Sequence, residues 1–117
     1  MSAIGFAGLS HLGIVSSIAA AAKGFDVVGF DVDSQLCKQL SLGNVPILEP
    51  NLNEILDNHK SRITYSDSPE ALAACDILYI SLDVDTDQEG QSDLANVEKV
   101  VEKAIAFLKE GCIIVVL

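Results

Sequence analysis

Apolar and polar positions fall into short alternating runs along the chain. Ser2 to Ala7 (SAIGFA) is an apolar run closing at Gly8, which predicts a buried strand. His11 to Lys23 is rich in alanine and stops at Gly24, the pattern of a helix with a glycine terminator. Asp26 to Phe30 (DVVGF) reads as a second strand ending at Asp31. Ser34 to Leu42 reads as a helix stopped by Gly43. Pro46 and Pro50 bracket an extended stretch, Leu52 to His59 predicts a short helix, and Ile63 to Ser66 a third strand. Ser68-Pro69-Glu70 then offers an N-cap, a proline at the first helical position and an acid in the first turn, so a helix is predicted to about Ala74. Asp76 to Leu82 (DILYISL) predicts the fourth strand, and Asp83 to Asp93 a polar loop. Val97, Val100, Val101, Ala104, Ile105 and Leu108 recur at helical spacing on one face, predicting a helix over Leu94 to Lys109. Gly111 ends it, and Cys112 to Leu117 (CIIVVL) predicts a fifth strand.

Strands of continuous apolar character joined by helices imply a parallel sheet covered on both faces, an α/β doubly wound architecture. There is no repeat, linker or low-complexity tract, and 117 residues make one domain, taken as 1–117. Half of the residues are apolar and three are proline, which excludes a disordered chain. The net charge of −10 makes nucleic acid and anionic membrane surfaces poor partners. Nine of the seventeen acids lie between Asp67 and Glu98, and residues 1–25 contain none. Cys37, Cys75 and Cys112 form no CxxC pair. Their odd number and wide spacing fit a reducing, cytoplasmic setting with neither a disulfide framework nor a zinc site. The apolar run Gly13 to Ala22 has no basic residue before it and is too short to span a bilayer, so neither a signal peptide nor a membrane segment is expected.

The candidate chemistry sits between the first strand and the first helix. Gly8-Leu9-Ser10-His11-Leu12-Gly13 has the spacing of a dinucleotide loop, which needs a tight turn, close backbone approach to the pyrophosphate and close helix–strand packing. Gly8 and Gly13 suit the first and third needs, and free amides at the helix start would face the phosphates. Ser10 replaces the middle glycine. Its Cβ occupies space near the pyrophosphate, while its hydroxyl offers a cap or a phosphate donor. Asp31, 18 residues beyond Gly13, stands where a carboxylate accepts from ribose hydroxyls and disfavours a 2′-phosphate. The absence of acids from residues 1–25 leaves this end without local anionic repulsion. The competing reading is a glycine turn used only for packing.

Asp83, Asp85, Asp87, Glu89 and Asp93 crowd the loop after the fourth strand but lack a full calcium-loop spacing. They read as a solvated acidic loop, with Asp93 capping the next helix, and no metal site is expected. In a doubly wound sheet this loop lies beside the glycine loop, so part of its backbone should touch the ligand. His11 reads as a pocket-wall residue, His59 as exposed, and the cysteines as small packing residues. No Ser-His-Asp or Cys-His set can be assembled. A phosphoacceptor receiver would need paired acids where GLSHLG stands.

With these pieces in place the chain resembles, over its whole length, the N-terminal domain of the UDP-glucose/GDP-mannose dehydrogenase family. GLSHLG (Gly8 to Gly13) is similar to its glycine loop and DVVGFDVD (Asp26 to Asp33) to its second strand. GNVPILEPNLNEIL (Gly43 to Leu56) resembles its Pro-Ile-x-Glu-Pro segment and short helix, and DQEGQSDL (Asp87 to Leu94) its acidic turn. The resemblance implies a Rossmann-type doubly wound parallel sheet, truncated after the fifth strand and before the family's catalytic lysine, asparagine and cysteine. It implies an oxidoreductase of nucleotide-sugar metabolism and polysaccharide biosynthesis. The intact enzyme would oxidise the C6 alcohol of a nucleotide sugar (UDP-glucose-like) to a carboxylate in two NAD-dependent steps. This chain would bind NAD and supply no catalytic residue. The resemblance places cofactor contacts on Gly8, Leu9, Ser10, His11, Leu12, Gly13, Asp31, Leu82, Asp83, Val84 and Thr86.

Three departures from the family pattern, at Ser10, at Leu36 (where a basic residue is usual) and at Asp83-Val84-Asp85, all act against a pyrophosphate. The expectation is therefore NAD bound weakly, with a non-catalytic nucleotide-binding or sensing module as the alternative. The apolar, uncharged strand Cys112 to Leu117 would lack a neighbour on its outer side. It is expected to pair with a second copy, giving a homo-oligomer, or to be poorly ordered.

Overall fold

The computed structural model describes residues 3–46, 49, 51–81 and 95–117. Five parallel strands, β1 (Ala3–Ala7), β2 (Asp26–Phe30), β3 (Ile63–Ser66), β4 (Ile77–Ile80) and β5 (Ile113–Val116), form one sheet in the order β3-β2-β1-β4-β5. The helices are α1 (His11–Ala22), α2 (Ser34–Ser41), α3 (Leu52–His59) and α4 (Ala95–Ile105). The α/β doubly wound parallel sheet expected from the sequence is therefore present. Because β1 pairs with β2 on one side and with β4 on the other, the chain reverses its winding direction at β1. Ligands in such sheets bind in the crevice beyond the carboxyl ends of the strands at that reversal.

Alternation along the strands sorts the core into two layers. Ala7, Phe30, Leu78 and Ile80 face Leu72, Cys75 and, from α4, Val100 and Ala104. On the opposite face Phe6 and Val27 meet Ala21 of α1, and Tyr65 meets Ile14, Ile18, Cys37, Leu40, Leu52 and Leu56 from α1, α2 and α3. A fully buried side chain of this size stabilises the fold by about 1.5–3 kcal/mol relative to exposure. Tyr65 also keeps its polar end satisfied, with its hydroxyl 2.8 Å from Ser17 Oγ. Burial pushes the phenol up to about 12, so it stays a neutral hydrogen-bonding group.

Four expectations need correction. Pro69–Ala74 is a 3-10 segment, not an α-helix. Ser68 makes no side-chain cap, and its own amide donates to Ser66 Oγ instead. The Ala71 amide donates to Ser68 O and the Cys75 amide to Leu72 O, the three-residue step of the tighter helix. The last helix ends at Ile105. Phe107 and Leu108 donate to the carbonyls three residues back, tightening the turn, and Ile105 faces solvent. His59 is partly buried. Among the described residues, the sheet is not covered on both faces at β5, where Ile113 is 60% and Val116 73% exposed. β5 is nevertheless formed, in register with β4. Ser2, Leu82, Leu94 and the acidic loop lie outside the described residues, as does the Val97 side chain.

Asp76 closes the amino end of the sheet. Its carboxylate accepts from Lys109 Nζ and from the Ala3 amide. The Lys109 hydrogen bond, then the Ala3 amide, hold the Asp76 carboxyl below its ordinary value, and the same partner holds Lys109 above its own. The unfolded chain therefore takes up the Asp76 proton first, so this contribution is present above roughly pH 4 and lost as pH falls through the folded value. Asp76→Asn is expected to flatten the fall in melting temperature below pH 4. A variant with an unchanged acid limb would contradict this assignment.

Candidate functional site

The crevice beyond β1 and β4 is built around the glycine loop. Gly8 follows β1 with φ 97°, a left-handed conformation that glycine adopts without penalty. Its amide donates to Phe30 O. Gly13 lies in the first turn of α1, packed so closely on the loop that a Cβ there would meet Ser81 Oγ at 2.7 Å and the Gly8 carbonyl closer still. Glycine is thus required at Gly8 for backbone shape and at Gly13 for close approach.

Ser10 is the N-cap of α1, in extended backbone at φ −67° and ψ 177°, which any residue adopts. Its hydroxyl accepts from the Gly13 amide at 3.3 Å and donates to the Ser81 carbonyl. The hydroxyl is therefore a cap, with its proton directed at β4. Among the described residues, no acceptor takes the amides of His11 and Leu12 at the first two positions of α1. These are the open donors of a helix start that favours anions.

Asp31 leaves β2 at the same crevice. Its Oδ2 accepts from the Leu9 amide at 2.8 Å and its Oδ1 from the Asp33 amide at 2.9 Å. The carboxylate so ties the glycine loop to the turn before α2. Each oxygen keeps a further lone pair for a hydroxyl donor. Asp33 caps α2 through the Leu36 amide. Leu36 is partly buried against the α1–α2–α3 core, so it packs where the family resemblance implied a charge.

The expected absence of acid near the loop does not survive folding. The stretch between Pro46 and Asn51 brings Glu49 Oε1 to 2.8 Å from His11 Nε2. A carboxylate 38 residues away in sequence thus stands at the amino end of α1. His11, more than half exposed, forms the rim there and has no nucleophile or second acid beside it among the described residues.

Sequence reading missed Ser81. It is buried, follows β4 directly, donates its amide to Ala7 O and its hydroxyl to Gly8 O at 2.7 Å, and accepts from Ser10 at its carbonyl. No spacing rule identifies it, because its partners lie 71 and 73 residues away. Of the other predicted contacts, Leu82, Asp83, Val84 and Thr86 lie outside the described residues.

No group of three or more metal-ligating side chains occurs among the described residues. Burial pushes the thiols of Cys37 and Cys75 up to about 11, so neither is a poised nucleophile. No described helix is long and apolar enough to cross a membrane. A cavity of about 310 Å³ lies elsewhere, between the second half of α1 and the uncovered side of β4. Its lining is mostly apolar, from Phe6, Ala20, Phe25, Tyr79 and Leu117 among others, with Ser16 also on its wall.

The crevice residues fit a dinucleotide: a left-handed glycine, a glycine with no room for a Cβ, two open helix amides, and a carboxylate one strand away. Comparison with known proteins agrees. Residues 2–117 match the profile described as the UDP-glucose/GDP-mannose dehydrogenase family, NAD binding domain. The chain is 31% identical to UDP-glucose 6-dehydrogenase of Pseudomonas aeruginosa over 111 residues, 92% of this chain and 24% of that protein. With UDP-glucose 6-dehydrogenase of Bacillus subtilis the identity is 33% over 101 residues, 84% of this chain and 22% of that one. The fold superposes on UDP-N-acetyl-mannosamine dehydrogenase of Staphylococcus aureus with a TM-score of 0.85 and 30% identity, covering 98% of this chain and 28% of that one.

Proposed function

Because the chain belongs to the UDP-glucose/GDP-mannose dehydrogenase family, whose NAD-binding domain it matches, we propose that it holds NAD for the oxidation of a nucleotide sugar's C6 alcohol to a carboxylate. The observation that carries this reading is the joint placement of Gly8, Gly13 and Asp31 around the open amides of His11 and Leu12. When bound, NAD would supply the hydride acceptor for the alcohol carbon. Residues 1–117 act as one domain that binds and orients it. Gly8 to Gly13 cradle the pyrophosphate and Asp31 accepts from the adenosine ribose, and the family resemblance adds Leu82, Asp83, Val84 and Thr86 as cofactor contacts. The chain supplies no catalytic side chain of its own. The chain spans 24% and 22% of the length of the two UDP-glucose 6-dehydrogenases, and in this reading the sugar site and chemistry belong to a portion of the enzyme beyond this domain. Three free thiols support a reducing, cytoplasmic setting. The exposed apolar edge β5 is the surface through which copies would pair.

The departures that suggested weak binding carry less weight once Ser10 and Leu36 are placed. Ser10 directs its hydroxyl away from the open amides, and Leu36 packs, partly buried, against the core. Calorimetry with NAD and NADP tests the reading. NAD is expected to bind more tightly by about fivefold or more, since two like charges about 4 Å apart at a half-solvated site repel by about 1–4 kcal/mol. Asp31→Asn should narrow that preference. No heat with millimolar NAD would reject the assignment.

A further inference from the structure

We propose that Ser81 is a positioning residue for the cofactor's pyrophosphate, the buried clasp that holds the phosphate loop in its binding shape. The inference rests on the NAD-binding reading above and concerns a residue that the glycine-loop pattern does not contain.

Three observations carry it. First, Ser81 sits at the reversal point of the sheet, where the ends of β1 and β4 border the ligand crevice, and it reaches across that crevice. Second, it engages the loop at both of its polar groups. Its hydroxyl donates to the Gly8 carbonyl, and its own carbonyl takes the Ser10 hydroxyl proton. Third, its Oγ fills the space that the missing Gly13 side chain leaves. Gly8, Ser10 and Gly13, the three positions of the loop pattern, are thus all referenced to one residue at the end of another strand, Gly8 and Gly13 to its side chain and Ser10 to its carbonyl.

The consequence is directional. Ser10 replaces a glycine whose usual service is to let the backbone approach a phosphate. Because Ser81 draws the Ser10 hydroxyl toward β4, the substituted side chain is kept off the outer face of the loop. The His11 and Leu12 amides are left open. Without the Ser81 hydroxyl, the Gly8 carbonyl loses its donor and the turn is free to shift. The amides would then meet the pyrophosphate misplaced, while the adenosine end, held by Asp31 through Leu9 and Asp33, would not.

The test is a pair of ligand-observed NMR titrations on the 117-residue chain, with NAD and with adenosine, which lacks the pyrophosphate. Ser81→Ala is expected to weaken NAD about tenfold and adenosine by less than twofold. A variant that binds NAD as the unsubstituted chain does overturns the inference. So does one that loses both ligands by the same factor, since that is a general structural loss. If Ser81→Ala does not fold, Ser10→Ala decides. It removes the other half of the clasp at a position whose backbone suits alanine, and it should show the same selective loss. An unchanged NAD-to-adenosine ratio there overturns the inference. An unsubstituted chain that binds neither ligand rejects the NAD-binding reading itself, a result distinct from all of these.

Discussion

Gly13→Ala is expected to lower the melting temperature by about 10 °C and to abolish measurable NAD binding. Two effects oppose each other at this position. Alanine in place of glycine within a helix gains about 1 kcal/mol. The added methyl, however, points at the Gly8 carbonyl and at Ser81 Oγ. Neither is the far end of a flexible side chain: one is backbone, and the other is buried and hydrogen-bonded. Overpacking of this kind costs about 3 kcal/mol. The net loss of about 2 kcal/mol corresponds to about 10 °C in a domain of this size. Binding suffers more than stability, because relief comes only by moving α1 or the Gly8 turn, and the open amides move with them. Thermal unfolding followed by circular dichroism, with an NAD titration alongside, measures both. A variant that melts and binds as the parent does would show that the loop has slack the structure does not display.

Phe30→Ala has a larger expected effect on stability. Phe30 is fully buried at the end of β2, in the layer formed with Ala7, Leu72, Leu78, Ile80 and Val100. Truncation to alanine in such a site costs about 4 kcal/mol through lost transfer energy and the cavity left behind. That is a large share of the roughly 5–15 kcal/mol available to a domain. The position also bears on the site, since the Phe30 carbonyl accepts from Gly8 and the next residue is Asp31. The expected result is a urea midpoint shifted strongly downward with an unchanged slope, and NAD affinity reduced even where the variant is still folded. Phe30→Leu keeps the apolar contact and should recover most of the stability. A small shift for the alanine variant would mean that the core collapses into the space.

The fold was largely legible because its signals are local. β2, α3 and β3 have the bounds that their apolar runs, glycine stops and prolines mark. The glycine loop and Asp31 could be read because strand, turn, helix and acid follow one another within about thirty residues. What could not be read is what folding brings from afar. Ser81 meets Gly8 across 73 residues, and Glu49 meets His11 across 38. An acid-free stretch of sequence therefore said nothing about acids in space. Ser10 looked like a steric cost because the pattern gives identities and not directions. Its backbone angles and hydroxyl partners show a cap that points inward. The end of α4 was misread for a related reason. The apolar spacing runs on past Ile105, but the backbone hydrogen bonds shift to a shorter step there.

Three polar ties in the crevice join segments far apart in the chain: Leu9 to Asp31, Ser10 to Ser81, Ser81 to Gly8. A ligand that spans the crevice therefore grips both halves of the sheet, one wound outward from β1 through β2 and the other through β4. Mass action then makes the cofactor a reversible cross-link. At a hundred times its dissociation constant it adds about 2.7 kcal/mol to the folded state. Partial opening of either half would release it, so the supply of oxidised dinucleotide would set how tightly the two halves of this small sheet stay closed.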